Sequence, residues 1–339
     1  MSRSTLGAER LQGSLRLYIL FFITPFTGLT ESSNKGFQVT SPKIIPRFRI
    51  TYRNRLAVTG FLFVLPVLLY FAIFAFWPMI NAFYLSLFDY DMLTPKEFIG
   101  VGNYQALLES PAFLSSLKTT AFYAFGVSVP IWFFSLITAM LLNQKLRFRS
   151  FFRAVFFSPM VMPLVILAVI WSLLYHPFGP INSVILSLFT DDLPAWLKSS
   201  QHALIAVIIM AIWRATGYYA VVFLAGLQNV PNEFYEAAKL DGANVWGVFW
   251  NITWPLLRPT TLFVVIVSII NALRHFDAIW VMTGGGPGDA TRVLSVLIYE
   301  NGLTYLRMGK ASAMSVVLFA FVMMFTIIQL RLFRCEVNY

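Results

Sequence analysis

Arg214 lies inside one apolar run of this 339-residue chain, and Asn271, Arg274, His275 and Asp277 lie inside another. A central arginine costs about 2.5–3.5 kcal/mol on membrane-insertion scales, so each such residue calls for a partner or a water-filled path. Asn271, Arg274 and Asp277 are spaced i, i+3 and i+6, which spreads them over about a third of a helix circumference. That spacing lets Arg274 and Asp277 pair within the helix. Trp213, Tyr218 and Tyr219 surround Arg214, and Phe276 and Trp280 accompany the second group. Aromatic faces hold the C–H surfaces of sugars while polar groups read their hydroxyls, and this mixture suits that task. Arg214, Tyr218, Asn271, Arg274 and Asp277 are therefore candidates for a solute pathway. A purely structural reading competes: Arg214 on backbone carbonyls or a partner subunit, and Arg274 with Asp277 tying helices together. His275 reads as a packing histidine rather than a proton carrier.

Bond-making chemistry finds no constellation. No paired carboxylates lie inside the apolar runs, which argues against proton-coupled transport, and lone Ser, His and Asp residues assemble no hydrolase site. The single cysteine, Cys335, forms no internal disulfide or metal cluster, so no metal is expected. Thr283-Gly-Gly-Gly-Pro-Gly-Asp-Ala-Thr291 is a turn-rich loop without the Gly-Lys-Ser/Thr of a phosphate-binding loop. That motif is absent from the whole chain, which is not expected to hydrolyse ATP or to carry a cofactor.

The elements that position these residues are membrane spans. Hydrophobic residues make up 58% of the chain and charged ones 12%, with a mean hydropathy of +0.72. A soluble domain has roughly 25% charged residues, so this chain is expected to be an all-α polytopic membrane protein. Runs long enough to cross a bilayer fall near Leu56–Met79, Leu117–Leu142, Ala154–Tyr175, Ala203–Gly226, Thr260–Met282 and Ala311–Leu330. Pro159 and Pro163 bend the third, as an ordinary packing kink or as a break beside a cavity.

Net charge is +10, and the basic residues lie between spans rather than in a nucleic-acid patch. Arg3 to Arg55, Lys145 to Arg153, Lys239, Arg258, Arg331 and Arg334 fall on one side; Lys96, Lys198, Arg292, Arg307 and Lys310 fall on the other, with Lys118 at a border. Basic loops stay inside, so both termini are expected in the cytoplasm. Residues 1–55 form an N-terminal extension, 56–331 the membrane domain and 332–339 a tail. The apolar stretch Leu17–Leu29 has 13 residues. As a helix it is roughly 20 Å long, short of a 30 Å core. A surface-lying or loosely ordered cytoplasmic extension is the favoured reading; an extra span and a cleaved signal are the alternatives.

Between the fourth and fifth spans, on the inner side, runs Glu236-Ala-Ala-Lys-Leu-Asp-Gly-Ala-Asn-Val-Trp-Gly-Val-Phe-Trp-Asn-Ile-Thr-Trp-Pro255. Asn232–Leu240 and Val245–Ile252 are expected to be short helices about a turn at Gly242. Ala237 and Ala238 thin one face of the first helix, Glu236 offers a carboxylate, and Asp241 is placed to cap the turn or the following helix. Glu-Ala-Ala followed by Gly, Ile and Pro at these distances resembles the EAA loop of ABC-importer permeases, here about 227–259. Trp254 departs from the general pattern, which prefers Leu. Ala225-Gly-Leu-Gln-Asn-Val-Pro231, Trp254-Pro-Leu-Leu-Arg-Pro259, Leu65-Pro66, Gly102-Asn103-Tyr104, Phe178-Gly-Pro-Ile-Asn182 and Thr283-Gly-Gly-Gly-Pro287 look like its carbohydrate-uptake branch. The resemblance covers about Arg55 to Arg331 and is to the maltose and glycerol-3-phosphate permease subunits. It implies a type I (MetI-like) six-span fold in a bacterial or archaeal inner membrane. It also implies a heterodimer with a second permease, two cytoplasmic ATPases that dock on Glu236, Ala237, Ala238, Asp241 and Gly242, and an external solute-binding protein. A sugar or related polyol is the implied cargo. A secondary transporter is the alternative.

Overall fold

A computed structural model describes residues 52–144, 147–185 and 194–332. The apolar stretch Leu17–Leu29, most of the N-terminal extension, the tail and Cys335 lie outside them. Contacts divide the chain at Phe63/Val64. On the N-terminal side, residues 52–63 are the first turns of α1 (Tyr52–Phe71).

Beyond the division, α1 continues through a π-helical turn, Ala72–Phe76, into α2 (Trp77–Leu85). A two-stranded antiparallel ribbon follows, β1 (Phe88–Asp89) with β2 (Glu97–Phe98), pairing Phe88 with Phe98. Then come α3 (Gly102–Leu108), α4 (Pro111–Asn143), α5 (Arg149–Val161), α6 (Leu164–Leu174) and α7 (Ala203–Gln228). The loop after α7 holds α8 (Asn232–Leu240) and α9 (Val245–Val248), which passes through a π-helical turn, Phe249–Thr253, into α10 (Trp254–Leu273). Last are α11 (Asp277–Thr283), α12 (Leu294–Tyr299) and α13 (Met308–Leu332). Among the described residues, five helices are long and apolar enough to cross a membrane, or six if the bent pair α5–α6 counts as one span.

Two expected spans are not single helices. The third breaks by 98° between α5 and α6, so the ordinary-kink reading of its prolines is wrong. Pro159 stays inside α5, while Pro163 (φ −56°) holds Met162 in an extended conformation at ψ 141°. A residue before proline is pushed out of the α region, which ends the helix there. The fifth span stops at Leu273, turns through Arg274–Phe276 and restarts at Asp277. In the other direction it is longer than expected, running without a stop from Val245 to Leu273.

In lipid the apolar tails are as oily as leucine, so helices associate by close packing and small residues rather than by hydrophobic exclusion. Helix α4 packs chiefly on α7 and then on α10, with α5 against the other flank of α7. Gly217 on α7 lies directly under the carbonyl of Phe156 on α5, leaving no room for a side chain. Gly226 similarly admits Thr260 of α10, whose Oγ1 would lie 2.5 Å from an added Cβ. Thr120 Oγ1 on α4 accepts from Leu294 N (2.7 Å) at the start of α12. Two asparagines of the Gly-Asn-Tyr and Gly-Pro-Ile-Asn motifs are buried ties: Asn103 Nδ2 donates to Ser86 O (2.9 Å) and Phe88 O (2.8 Å), and Asn182 Oδ1 accepts from Trp196 Nε1 (2.9 Å).

Candidate functional site

The break between α10 and α11 and the break between α5 and α6 open onto one cavity of about 400 Å³. Arg214, Asn271, Arg274 and Asp277 all line it, together with Tyr123 and Ile131 of α4, Leu164 of α6 and Tyr219 of α7. Asn271, Arg274 and Asp277 are exposed on this chain although they lie between apolar helices. Such residues face a bundle interior or a water-filled path rather than lipid.

The i, i+3, i+6 helical face is not what gathers them. Arg274 is the residue after the last turn of α10 (φ −99°, ψ 4°), and Asp277 opens α11. The helix axis is interrupted between them, so the expected intrahelical Arg274–Asp277 pair does not form. Among the described residues the ion pairs belong to Arg292. Arg214 and Arg274 thus share the cavity with one carboxylate, Asp277, and the Nε of Arg214 is enclosed without a hydrogen-bond partner.

Tyr218 does not line the cavity; its neighbour Tyr219 does, accepting from Asn271 Nδ2 at 3.3 Å. Tyr218 stands edge-on behind it, 5.0 Å between ring centroids. One residue is a rotation of about 100° on a helix, enough to exchange the two. Sequence reasoning missed Tyr123, whose Oη lies 2.9 Å from His275 Nδ1 with the rings stacked at 5.5 Å. Its only signal was a tyrosine in the middle of a long apolar run. His275 itself also lines the cavity. Phe276, Trp280 and Tyr299 form an aromatic cluster beside the cavity, with centroid separations of 4.8–5.8 Å.

The loop between α7 and α10 is a second candidate site. Helix α8 has the expected bounds, and Gly242 follows its end in the left-handed region at φ +73°. Gly242 N donates to Lys239 O (3.1 Å) and Ala243 N to Ala238 O (2.9 Å). This paired pattern is a Schellman termination, which consumes carbonyls a helix end leaves open. Asp241 is only the residue at which the helix ends. Capping of the next helix falls instead to Asn244, whose Oδ1 accepts from Gly247 N at 2.7 Å. Ala238 is buried against its own chain, so the thin outward face is contributed by Ala237 alone, beside exposed Glu236. Around them stand exposed apolar side chains, Leu240 at 90% and Trp246 at 71%. Tyr235 Oη lies 3.4 Å from Thr253 Oγ1, tying α8 to the root of α10.

Residues 131–334 match the family model described as "Binding-protein-dependent transport system inner membrane component". The trehalose/maltose transport system permease protein MalF of Thermococcus litoralis is 36% identical over 291 residues, covering 84% of this chain and 96% of that protein. The probable ABC transporter permease protein YurN of Bacillus subtilis is 34% identical, covering 83% and 98%. The sn-glycerol-3-phosphate transport system permease protein UgpA of Rhizobium meliloti is 30% identical, covering 86% and 99%. A chain in the crystal structure of a bacterial alginate ABC transporter, in complex with a pentasaccharide-bound periplasmic protein, has the same fold. Its TM-score is 0.74 at 21% identity, covering 84% of this chain and 97% of that one. The secondary-transporter alternative falls with these matches. The chain belongs to the binding-protein-dependent transport system inner membrane component family: it is a multi-pass, non-enzymatic permease of an ABC importer.

Proposed function

We propose that this permease forms half of the translocation pathway for a sugar or related polyol. It pairs with a second permease, receives solute from an external binding protein, and is driven by two cytoplasmic ATPases, one of which docks on its inner loop. Both termini and the 227–259 loop face the cytoplasm, in keeping with the basic residues on that side. Relatives named for trehalose/maltose, lactose and sn-glycerol-3-phosphate support the solute class.

One observation carries the mechanism. The helix from Val245 to Leu273 is 29 residues long. At 1.5 Å per residue it spans roughly 43 Å. It begins three residues beyond Gly242 and ends against Arg274, so one continuous helical segment joins the docking loop to the cavity. Glu236, Ala237, Asp241, Gly242 and the apolar side chains around them offer the ATPase a grip at one end. A displacement there is delivered to Asn271, Arg274 and Asp277 at the other, as rigid-body coupling requires. The exposed polar residues of the cavity meet the second permease across the solute path. ATP-driven closure of the ATPases then switches the path from inward- to outward-facing.

Glu236→Lys tests the docking assignment. The complete importer is reconstituted in proteoliposomes, and solute uptake is measured beside ATP hydrolysis stimulated by the loaded binding protein. Both should be lost while the permease still inserts in the membrane. Wild-type coupling in this variant would remove the docking role of the loop.

A further inference from the structure

Basic residues are scarce on the external side, where only Lys96, Lys198, Arg292, Arg307 and Lys310 occur beyond the border residue Lys118. Three of these five, Arg292, Arg307 and Lys310, converge on one cavity of about 250 Å³ between α3, the start of α4 and the start of α13. Placing positive charge outside runs against the usual distribution, and collecting it in a single concavity does so more strongly.

The walls are fixed. Tyr305 N donates to Glu300 O (2.8 Å), Arg307 N to Asn301 O (2.7 Å) and Gly309 N to Tyr90 O (3.0 Å). Gly309 lets the Phe88 carbonyl come too close for any side chain, which locks the loop onto β1. Arg292 is already engaged, with Nη1 2.8 Å from Asp289 Oδ2 and Nε 3.2 Å from Glu300 Oε2. Burial pushes the Glu300 carboxyl up, and Arg292 opposes that shift. Arg307 and Lys310 have no ionic partner among the described residues. With Asp289 and Glu300 counted against the three cations, one positive charge is uncompensated. Arginine and lysine side chains lining one concavity match a carboxylate.

We propose that this socket receives an acidic side chain, Asp or Glu, from the external solute-binding protein and sets the register in which that protein docks. The inference rests on the reading of the chain as a binding-protein-dependent sugar permease with its 283–308 segment outside. A lipid headgroup shares part of the chemistry. The socket, however, is lined by α3 and the 305–307 loop as well as by the first turns of α4 and α13, and it holds two carboxylate-facing arginine contacts, so the nanodisc arms below separate the two occupants.

The test uses the whole importer in nanodiscs of zwitterionic lipid, titrated with solute-loaded cognate binding protein while ATP hydrolysis is followed. Arg307→Glu and Lys310→Glu should each raise the half-saturating concentration of binding protein at least about tenfold at low salt. Saturating binding protein should restore the maximal rate, which a misfolded permease would not do. The shift should shrink as salt rises, since the screening length falls to about 8 Å at 0.15 M. Lys96→Glu, the same charge change on the external side but stacked over Tyr84 and Tyr90 outside the socket, should leave half-saturation in place. Wild-type half-saturation in Arg307→Glu and Lys310→Glu would overturn the proposal. So would a shift seen only when the nanodiscs contain anionic lipid, which would identify a headgroup as the occupant. No stimulation by binding protein in the unmodified complex would instead remove the functional reading, and this inference with it.

Discussion

Gly242 separates two ways in which the 227–259 loop can matter. Its φ is +73°, and a Cβ built on it meets nothing within 4 Å. Any penalty for a side chain is therefore conformational and not steric within this chain. Alanine in the left-handed region costs roughly 1–2 kcal/mol, whereas asparagine tolerates that region. Proline is of a different order. Its ring fixes φ near −65° and removes the N–H that donates to Lys239 O at 3.1 Å. The loss exceeds that of alanine, because neither the φ nor the missing N–H suits the turn. One to two kcal/mol is a factor of about 5–30 in a population ratio, so the ratio of correctly turned to other loop conformations falls by that factor in Gly242→Ala. Coupling of ATP hydrolysis to loaded binding protein, measured in the reconstituted importer, should fall in the order Gly, Asn, Ala, Pro. Surface expression and membrane insertion should not change across the series. Equal coupling in all four would show that the turn has no part in docking. Equal loss in Asn, Ala and Pro would refute the backbone argument differently, because the partner would then require a bare surface at this position.

Two further expectations concern the pathway and the topology. Arg274→Gln should weaken solute uptake while the ATPases still dock, and a neutral solute should tolerate it better than an anionic one, because Gln retains hydrogen bonds to hydroxyls; unchanged solute dependence would make Arg274 a structural residue. In a Cys335→Ser background, Leu93→Cys (79% exposed) and Gly286→Cys should react with an impermeant thiol reagent from outside and Lys239→Cys should not; external labelling at position 239 would reverse the proposed orientation. Asn103 is a poor probe for that purpose because it is buried and hydrogen-bonded.

Much of this protein is written in local sequence. Spans are legible because lipid forces each crossing segment to satisfy its own backbone within some twenty apolar residues. The docking loop is legible because its spacing sits on short-range devices: α8 begins at Asn232 and ends at Leu240 as its letters dictate, and Gly242 adopts the turn only glycine favours. The break at Pro163 was half visible, since proline marks where a helix is disturbed but not whether neighbours pull it through 98°.

The cavity required the tertiary structure. Periodicity extrapolates a helix through Arg274, yet α10 ends at Leu273, and Asp277 belongs to a new axis. Helical phase in an apolar run is weakly marked, because every face is hydrophobic; nothing in the letters distinguished Tyr218 from Tyr219. Which tyrosine reaches Asn271 was decided by how α7 packs on α10, with Gly226 admitting Thr260. Tyr123 on His275 bridges 152 positions, and Arg307 and Lys310 join Arg292 only after α12 and α13 fold beside α3. Local chemistry names the elements and their ends; the side chains that meet in the two cavities are chosen by packing between distant helices, which no short window of sequence contains.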